Sequence, residues 1–210
     1  MQKRRSDSLQ ELINAARAAF EIHATDRSSR QAISCVFSAL ENPRPERVEF
    51  GLSLPACQYL NEVRLAEDDD PSLLRLLTAF NAIESRIRWR RDPPQEFASA
   101  NFIDGHANAM IIGPNGIEDR HDVWLGASIL GPHVCYPVHQ HSPEEVYLAL
   151  SEGEFWHGSG EWFAPGIGGS FYNPPSIQHA MRSGPLPLLA FWVLRSQKGS
   201  TPSSLYMPHA

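Results

Sequence analysis

The chain has 210 residues, 42% hydrophobic and 20% charged, with 18 basic and 24 acidic side chains and a net charge of −6. This suits one globular domain, or one core with an appended subdomain, and no apolar run approaches the roughly 18 residues that a membrane-spanning helix needs. Residues 1–100 hold 14 basic and 15 acidic side chains and residues 101–210 hold 4 and 9, so the second half lacks the cations that nucleic acid or phosphorylated substrates require.

The elements follow in chain order. Basic residues in Met1–Ser6 have no apolar stretch behind them, which argues against a secretory signal. Ser8 and Glu11 are spaced as a capping box ahead of Leu9, Leu12, Ile13, Ala16 and Phe20 at helical spacing. A second helix carries Ile33, Val36, Phe37 and Leu40 and stops before Asn42-Pro43. A weaker segment spans about 55–66. Asp70-Pro71 then supplies an N-cap and a first-turn proline for a helix through Leu73, Leu77, Phe80, Ile83 and Ile87, ending in Arg88–Arg91. Residues 1–95 are therefore expected to form a helical subdomain.

After about residue 96 the texture becomes short runs between turn signals: 110–112, 123–130, 134–141, 146–150, 154–157, 170–172, 179–182 and 188–194. Many short strands at this spacing predict a mainly β fold, an antiparallel barrel or jelly roll over 96–200, with the helices packed on it. Residues 201–210 are expected to be a mobile tail. Three widely spaced cysteines, Cys35, Cys57 and Cys135, suit a reduced, cytoplasmic compartment better than a disulfide framework.

One stretch carries the chemistry: Pro137-Val-His139-Gln-His141-Ser-Pro-Glu-Glu145-Val-Tyr147. Residues two apart on a strand share a face, so His139 and His141 point together. The chain is expected to turn at Ser142–Glu144, and Glu145 and Tyr147 to share a face of the returning strand. With His179 brought in by barrel closure, three imidazoles and a carboxylate make a site for one first-row divalent ion such as Zn, Fe, Mn, Ni or Co, a choice the sequence leaves open. Glu144 should point away from the site and be solvated. His133, just ahead of the cluster, could line the pocket mouth, whereas His23, His106, His121, His157 and His209 read as ordinary. Arg182, three residues after His179, falls on the opposite face of its strand. The helical part and the loops about 93–107 and 115–122 are candidates for covering the mouth.

The pattern resembles the cupin superfamily. Over about 100–196, Pro137-x-His139-x-His141-x3-Glu145-x-Tyr147 followed by Gly168-x5-Pro174-x4-His179-x7-Pro187-x-Leu189-x2-Trp192 is similar to the cupin-type dimethylsulfoniopropionate (DMSP) lyases, most of all the short Q-type members with a helical N-terminal part. The resemblance implies that His139, His141, Glu145 and His179 hold the metal, that Tyr147 is the catalytic base, and that Tyr136 is a further active-site tyrosine. Two positions depart from the pattern: the first motif's glycine falls one residue late at Gly153, and Leu194 stands where a tryptophan is usual.

The implied reaction is a β-elimination of DMSP to dimethyl sulfide and acrylate. A divalent ion on the substrate carboxylate stabilises enolate-like charge without an arginine. It also lowers the pKa of a nearby phenol from about 10, which suits Tyr147 as base. A sulfonium group has charge but no donors, so aromatic faces suit it; Tyr136 is favoured as an orienting or secondary acid-base group that also meets the substrate, and Trp192 as a pocket wall, ahead of Tyr172, Phe191, Trp156 and Trp162. Other readings are an iron dioxygenase, a lyase of another β-substituted acid, and a non-catalytic cupin that binds a small ligand. The expected partner is a small molecule, with neither nucleic acid nor membrane; a homodimer is an open option.

Overall fold

The fold is described from a computed structural model, covering residues 5–47 and 51–195. The tail 201–210 lies outside the described residues, as does the end of the 96–200 segment.

Helices α1 (Asp7–His23) and α2 (Arg27–Leu40) come first. The α1 N-cap is Ser6, whose side chain accepts from Leu9 N–H, rather than Ser8. Ser6 is held there by Glu46 and Arg86, which both bond its hydroxyl, a tertiary grip that local spacing does not reveal. Asp26 caps α2. The weaker segment is a 3-10 helix, Pro55–Glu62. Helix α3 (Pro71–Asn81) starts at the expected Asp70-Pro71 but ends before Ile83 and Ile87. A 3-10 turn at Glu84–Arg86 follows, and Trp89–Arg90 is strand β1, not the end of a helix. Trp89 is fully buried and packs edge-on against Phe80, with its indole N–H on Glu84, so tertiary packing overrides the helical periodicity there.

A short helix, α4 (Phe102–Gly105), leads into β2 (His106–Ile112) and β3 (Val123–Leu130). Strands β4 (Cys135–His139), β5 (Glu144–Ala149), β6 (Glu154–His157), β7 (Ser170–Asn173), β8 (His179–Arg182) and β9 (Leu188–Arg195) follow. They form two antiparallel sheets, β1-β2-β3-β9-β5-β7 and β4-β8-β6, the two-layer arrangement of a cupin-like barrel.

The larger sheet is covered on both faces. Inward positions (Met110, Trp124, Tyr147, Ala149, Ala190, Trp192 and Leu194) belong to the barrel core. Outward positions (Ala109, Leu125, Ala127, Val146, Leu148, Phe191 and Val193) share a second core with α1, α2 and α3. The Phe80–Phe191 edge contact at 5.2 Å joins α3 to β9. Hence β3, β5 and β9 read as nearly continuous apolar runs rather than alternating ones.

A buried charge cluster also ties helices to barrel. Glu118, in the β2–β3 loop, is fully buried between Arg5 and Arg120. Arg5 donates to the α2 carbonyl of Leu40 and Arg120 to that of Ala39, while Arg120 also forms a two-pronged pair with Asp122 at 2.7 Å. Cations thus satisfy the orphan carbonyls at a helix C-terminus. The loop 115–122, a candidate cover for the mouth, is instead pinned against α2. Removing the anion would leave the buried Arg5 guanidinium without its carboxylate partner, while Arg120 keeps Asp122, so Glu118→Ala should cost about 3–5 kcal/mol in urea unfolding; a cost below about 1 kcal/mol would contradict this anchoring role.

Candidate metal centre and active site

The turn expected at Ser142–Glu144 does not make a hairpin. Strand β4 pairs with β8 in the small sheet, whereas β5 pairs with β7 and β9 in the large one. Residues 140–143 carry the chain from one sheet to the other, so the histidines and Glu145 face each other across the barrel. His139 lies opposite His179 in register on the neighbouring strand. β4 bulges between Tyr136 and His139, and His141 lies just past the strand's end.

The three imidazoles are oriented alike. His139 Nδ1 meets the carbonyl of Pro137, His141 Nδ1 that of Pro143, and His179 Nδ1 that of Ile177, each at 3.0 Å and each two residues away. A carbonyl only accepts, so each Nδ1 carries a proton and each Nε2 is turned to the cluster, where it donates to Glu145 when the ring is protonated or offers a lone pair to a metal when it is not. His141 Nε2 and His179 Nε2 both stand 3.3 Å from Glu145 Oε2. Ligands about 2.1 Å from one ion lie roughly 3.0–3.4 Å from each other, so this His–Glu–His cluster fits a divalent metal. The His139 ring rests 4.1 Å from that of His179 but stands outside the tight set of His141, Glu145 and His179.

Burial alone would raise the Glu145 pKa, but the charge and hydrogen bonds of His141, then His179, outweigh it and hold the carboxyl well below its usual range. Burial, reinforced by His179, pushes His139 down to about 3 and keeps it neutral. His141 is raised: its burial is outweighed by Glu145. Asn173, buried on β7 opposite Glu145, donates to Glu145 Oε2 at 3.4 Å and is itself held by His157 Nδ1 at 2.8 Å. His157 therefore stands behind the cluster rather than being an ordinary surface residue.

Tyr147 shares the inner face of β5 with Glu145. Its ring is stacked on Phe171 at 5.4 Å, packs on Phe155 at 5.5 Å and lies edge-on to His179 at 6.2 Å. Trp192 opposes it on β9, over Gly126, where a Cβ would come within 2.2 Å of the indole. Tyr136 packs edge-on against His139 at 4.7 Å and donates its hydroxyl to Asp92. Leu194, the departure from the motif, is buried between Glu145 and Trp124 in register and forms part of the site's floor.

Other expectations are corrected. His133 is exposed, in the β3–β4 turn with φ +55°, and is not gathered with the cluster. Phe191 faces the helices, and Tyr172 points out to Glu144. Glu144 does point away from Glu145, but it is buried beneath the helices, bonded by Tyr172 at 2.6 Å and Arg195 at 2.6 Å, not solvated. Arg182 lies on the outer face as expected, paired with Glu154 and set over Trp162. Asp92, Asn108, Ser128, Phe155, Phe171 and Asn173 went unnoticed in the sequence. For Asn108 and Ser128 the available signal was a polar residue at an inward strand position.

Residues 27–190 match the family described as dimethylsulfoniopropionate lyase. The chain belongs to the DMSP lyase family. It is 27% identical over 129 residues to dimethylsulfoniopropionate lyase DddQ of Ruegeria pomeroyi, an alignment covering 61% of this chain and 64% of that protein. The fold matches the crystal structure of DMSP lyase DddQ from R. pomeroyi DSS-3 with a TM-score of 0.70 and 22% identity, covering 98% of this chain and all of that one. It also matches a structure reported with the DMSP lyases RdDddP and RnDddQII, with a TM-score of 0.72 and 21% identity over 93% of this chain and 96% of that one. No helix of this family member, among the described residues, is long and apolar enough to cross a membrane.

Tyr172 offers a pH test of the helix-facing side of β5 and β7, behind this site. Burial, with Glu144 as hydrogen-bond acceptor and negative neighbour, pushes its phenol up to about 12. Between pH 10 and 12 the unfolded chain has lost a proton that the folded chain retains, so stability falls as pH rises through that window. Tyr172→Phe should show a shallower loss over the same window in urea unfolding; an unchanged slope would contradict the Tyr172–Glu144 pairing.

Proposed function

We propose that this chain is a metal-dependent DMSP lyase that releases dimethyl sulfide and acrylate by β-elimination. The observation that carries the reading is the common orientation of three imidazoles, two of them converging on one carboxylate oxygen, with Tyr147 on the same strand face. Membership of the family supports the substrate. His139, His141, Glu145 and His179 would hold the ion, His139 from its place beside His179. When bound, the ion supplies Lewis-acid stabilisation of the negative charge that develops on the substrate carboxylate.

The chain's own residues do the rest. Tyr147 takes the proton from the carbon next to the carboxylate. The electron pair of that C–H bond becomes the C=C bond of acrylate, and the C–S bond breaks with its pair leaving on neutral dimethyl sulfide. Phe155 and Phe171 hold the Tyr147 ring in line with the cluster, so it needs no reorientation as the proton moves. Tyr136 and Trp192 offer aromatic faces to a sulfonium group that has no use for hydrogen bonds. The odd number and wide spacing of the three cysteines suit a reduced, cytoplasmic setting.

Headspace gas analysis of metal-reconstituted protein given DMSP should show dimethyl sulfide matched by acrylate without oxygen, abolished by EDTA and restored by metal. Tyr147→Phe should retain metal and lose about 10²-fold or more of the rate. A Tyr147→Phe variant at the wild-type rate would remove the base; oxygen consumption in place of dimethyl sulfide would mean a different reaction.

A further inference from the structure

A row of polar side chains crosses the inner face of the larger sheet, where the surrounding positions are apolar. Trp192 donates its indole N–H to Ser128 Oγ at 3.0 Å. Ser128 donates to Asn108 Oδ1 at 2.7 Å, the two residues being direct register partners on β2 and β3. Asn108 Nδ2 lies 3.2 Å from Asp92 Oδ2 and 3.3 Å from the Tyr136 hydroxyl, and Tyr136 donates to the same Asp92 oxygen. The row therefore starts at the strand partner of Tyr147 and ends at the aromatic ring packed on His139.

The row has one direction. An indole N–H only donates and an ionised carboxylate only accepts, so every proton between them points toward Asp92. This fixes the Asn108 amide: reversed, its oxygen would face the Asp92 carboxylate. It also commits the Tyr136 proton to Asp92 rather than to a substrate. Asp92 is held in turn by its own backbone N–H, which donates to His106 Nε2 at 2.9 Å, and the His106 ring is stacked on Phe102 at 3.7 Å. Apolar residues would fill these inward positions without needing partners. What the polar row adds is a fixed relation between two rings on different sheets, Trp192 on β9 and Tyr136 on β4.

We infer that Asn108 is a positioning residue that sets the spacing of the Trp192 and Tyr136 walls, and so how well a small onium cation is gripped between them. This rests on the lyase reading for its substrate, and it makes Tyr136 a neutral wall, leaving proton abstraction to Tyr147 alone.

The test combines kinetics with NMR on full-length, metal-reconstituted protein. Asn108→Leu has a similar branched shape but can neither donate nor accept. Ser128→Ala is a milder change that breaks the same row at a different bond. Tryptophan labelled with ¹⁵N gives one indole signal for each of the five tryptophans, and Trp192→Phe identifies the signal of interest. Asn108→Leu should move the Trp192 signal although residue 108 does not bond to it. Each single variant should raise KM for DMSP about five- to tenfold, the worth of one buried hydrogen bond, with kcat within about twofold and metal content unchanged. The double variant should be no worse than the worse single one, because both break one row. The inference is overturned by an unmoved Trp192 signal, by an unchanged KM in correctly folded Asn108→Leu, or by additive effects in the double variant. If Asn108→Leu does not fold, the Ser128→Ala signal and KM decide alone. Wild-type protein that makes no dimethyl sulfide from DMSP sinks the lyase reading and the role in substrate grip with it. The NMR result then still reports separately on whether the row couples Trp192 to Asn108.

Discussion

The carboxylate of Glu145 is the point on which the site depends. It is buried, so its charge is costly unless compensated, and the compensation comes from imidazoles on the opposite sheet. Each imidazole can supply it only because its other nitrogen is occupied by a carbonyl two residues away. Local backbone geometry at Pro137, Pro143 and Ile177 thus sets ring orientation, and barrel closure sets the distance. In the protein's own electrostatics the carboxylate stays ionised and His139 stays neutral, the protonation states in which carboxylate and imidazole bind a metal.

The helices matter to this site indirectly. They cover the outer face of the sheet that carries Glu145, Tyr147 and Trp192, so that sheet is clamped between two cores. The Arg5–Glu118–Arg120 cluster and the Phe80–Phe191 contact hold the cover in place. Glu144 shows the arrangement at the scale of neighbouring residues. One step along β5 from Glu145, it is buried on the helical side, paired with Arg195 and hydrogen-bonded by Tyr172, while its neighbour faces the imidazoles. Two adjacent carboxylates thus have separate partners on opposite faces of one strand.

Much of this was legible in the residues. The helix-to-strand change of texture, the Asp70-Pro71 start of α3 and the strands at 123–130, 154–157 and 179–182 follow from local pattern. So does the sharing of a face by Glu145 and Tyr147. What local pattern could not supply was the partner of each strand. Ser142–Glu144 has turn chemistry, yet the chain uses it to change sheets, a fact that depends on β8 and β9 arriving beside β4 and β5. Ile83 and Ile87 kept a helical spacing beyond Asn81, where the chain instead leaves the helix and packs Trp89 edge-on against Phe80. The Asp92–Asn108–Ser128–Trp192 row joins residues up to a hundred positions apart and has no local signature. His133 stood near the motif in sequence but lies in the turn that precedes β4, at the opposite end of that strand from His139.

The most direct test of the central claim is metal content and affinity, measured by inductively coupled plasma mass spectrometry and chelator competition on wild type and Glu145→Ala. The account requires close to one divalent ion per chain in the wild type, and loss of about 10-fold or more in affinity when the carboxylate that joins the imidazoles is removed. Purified protein that turns over fully without metal, or a Glu145→Ala variant that binds metal as the wild type does, would contradict it.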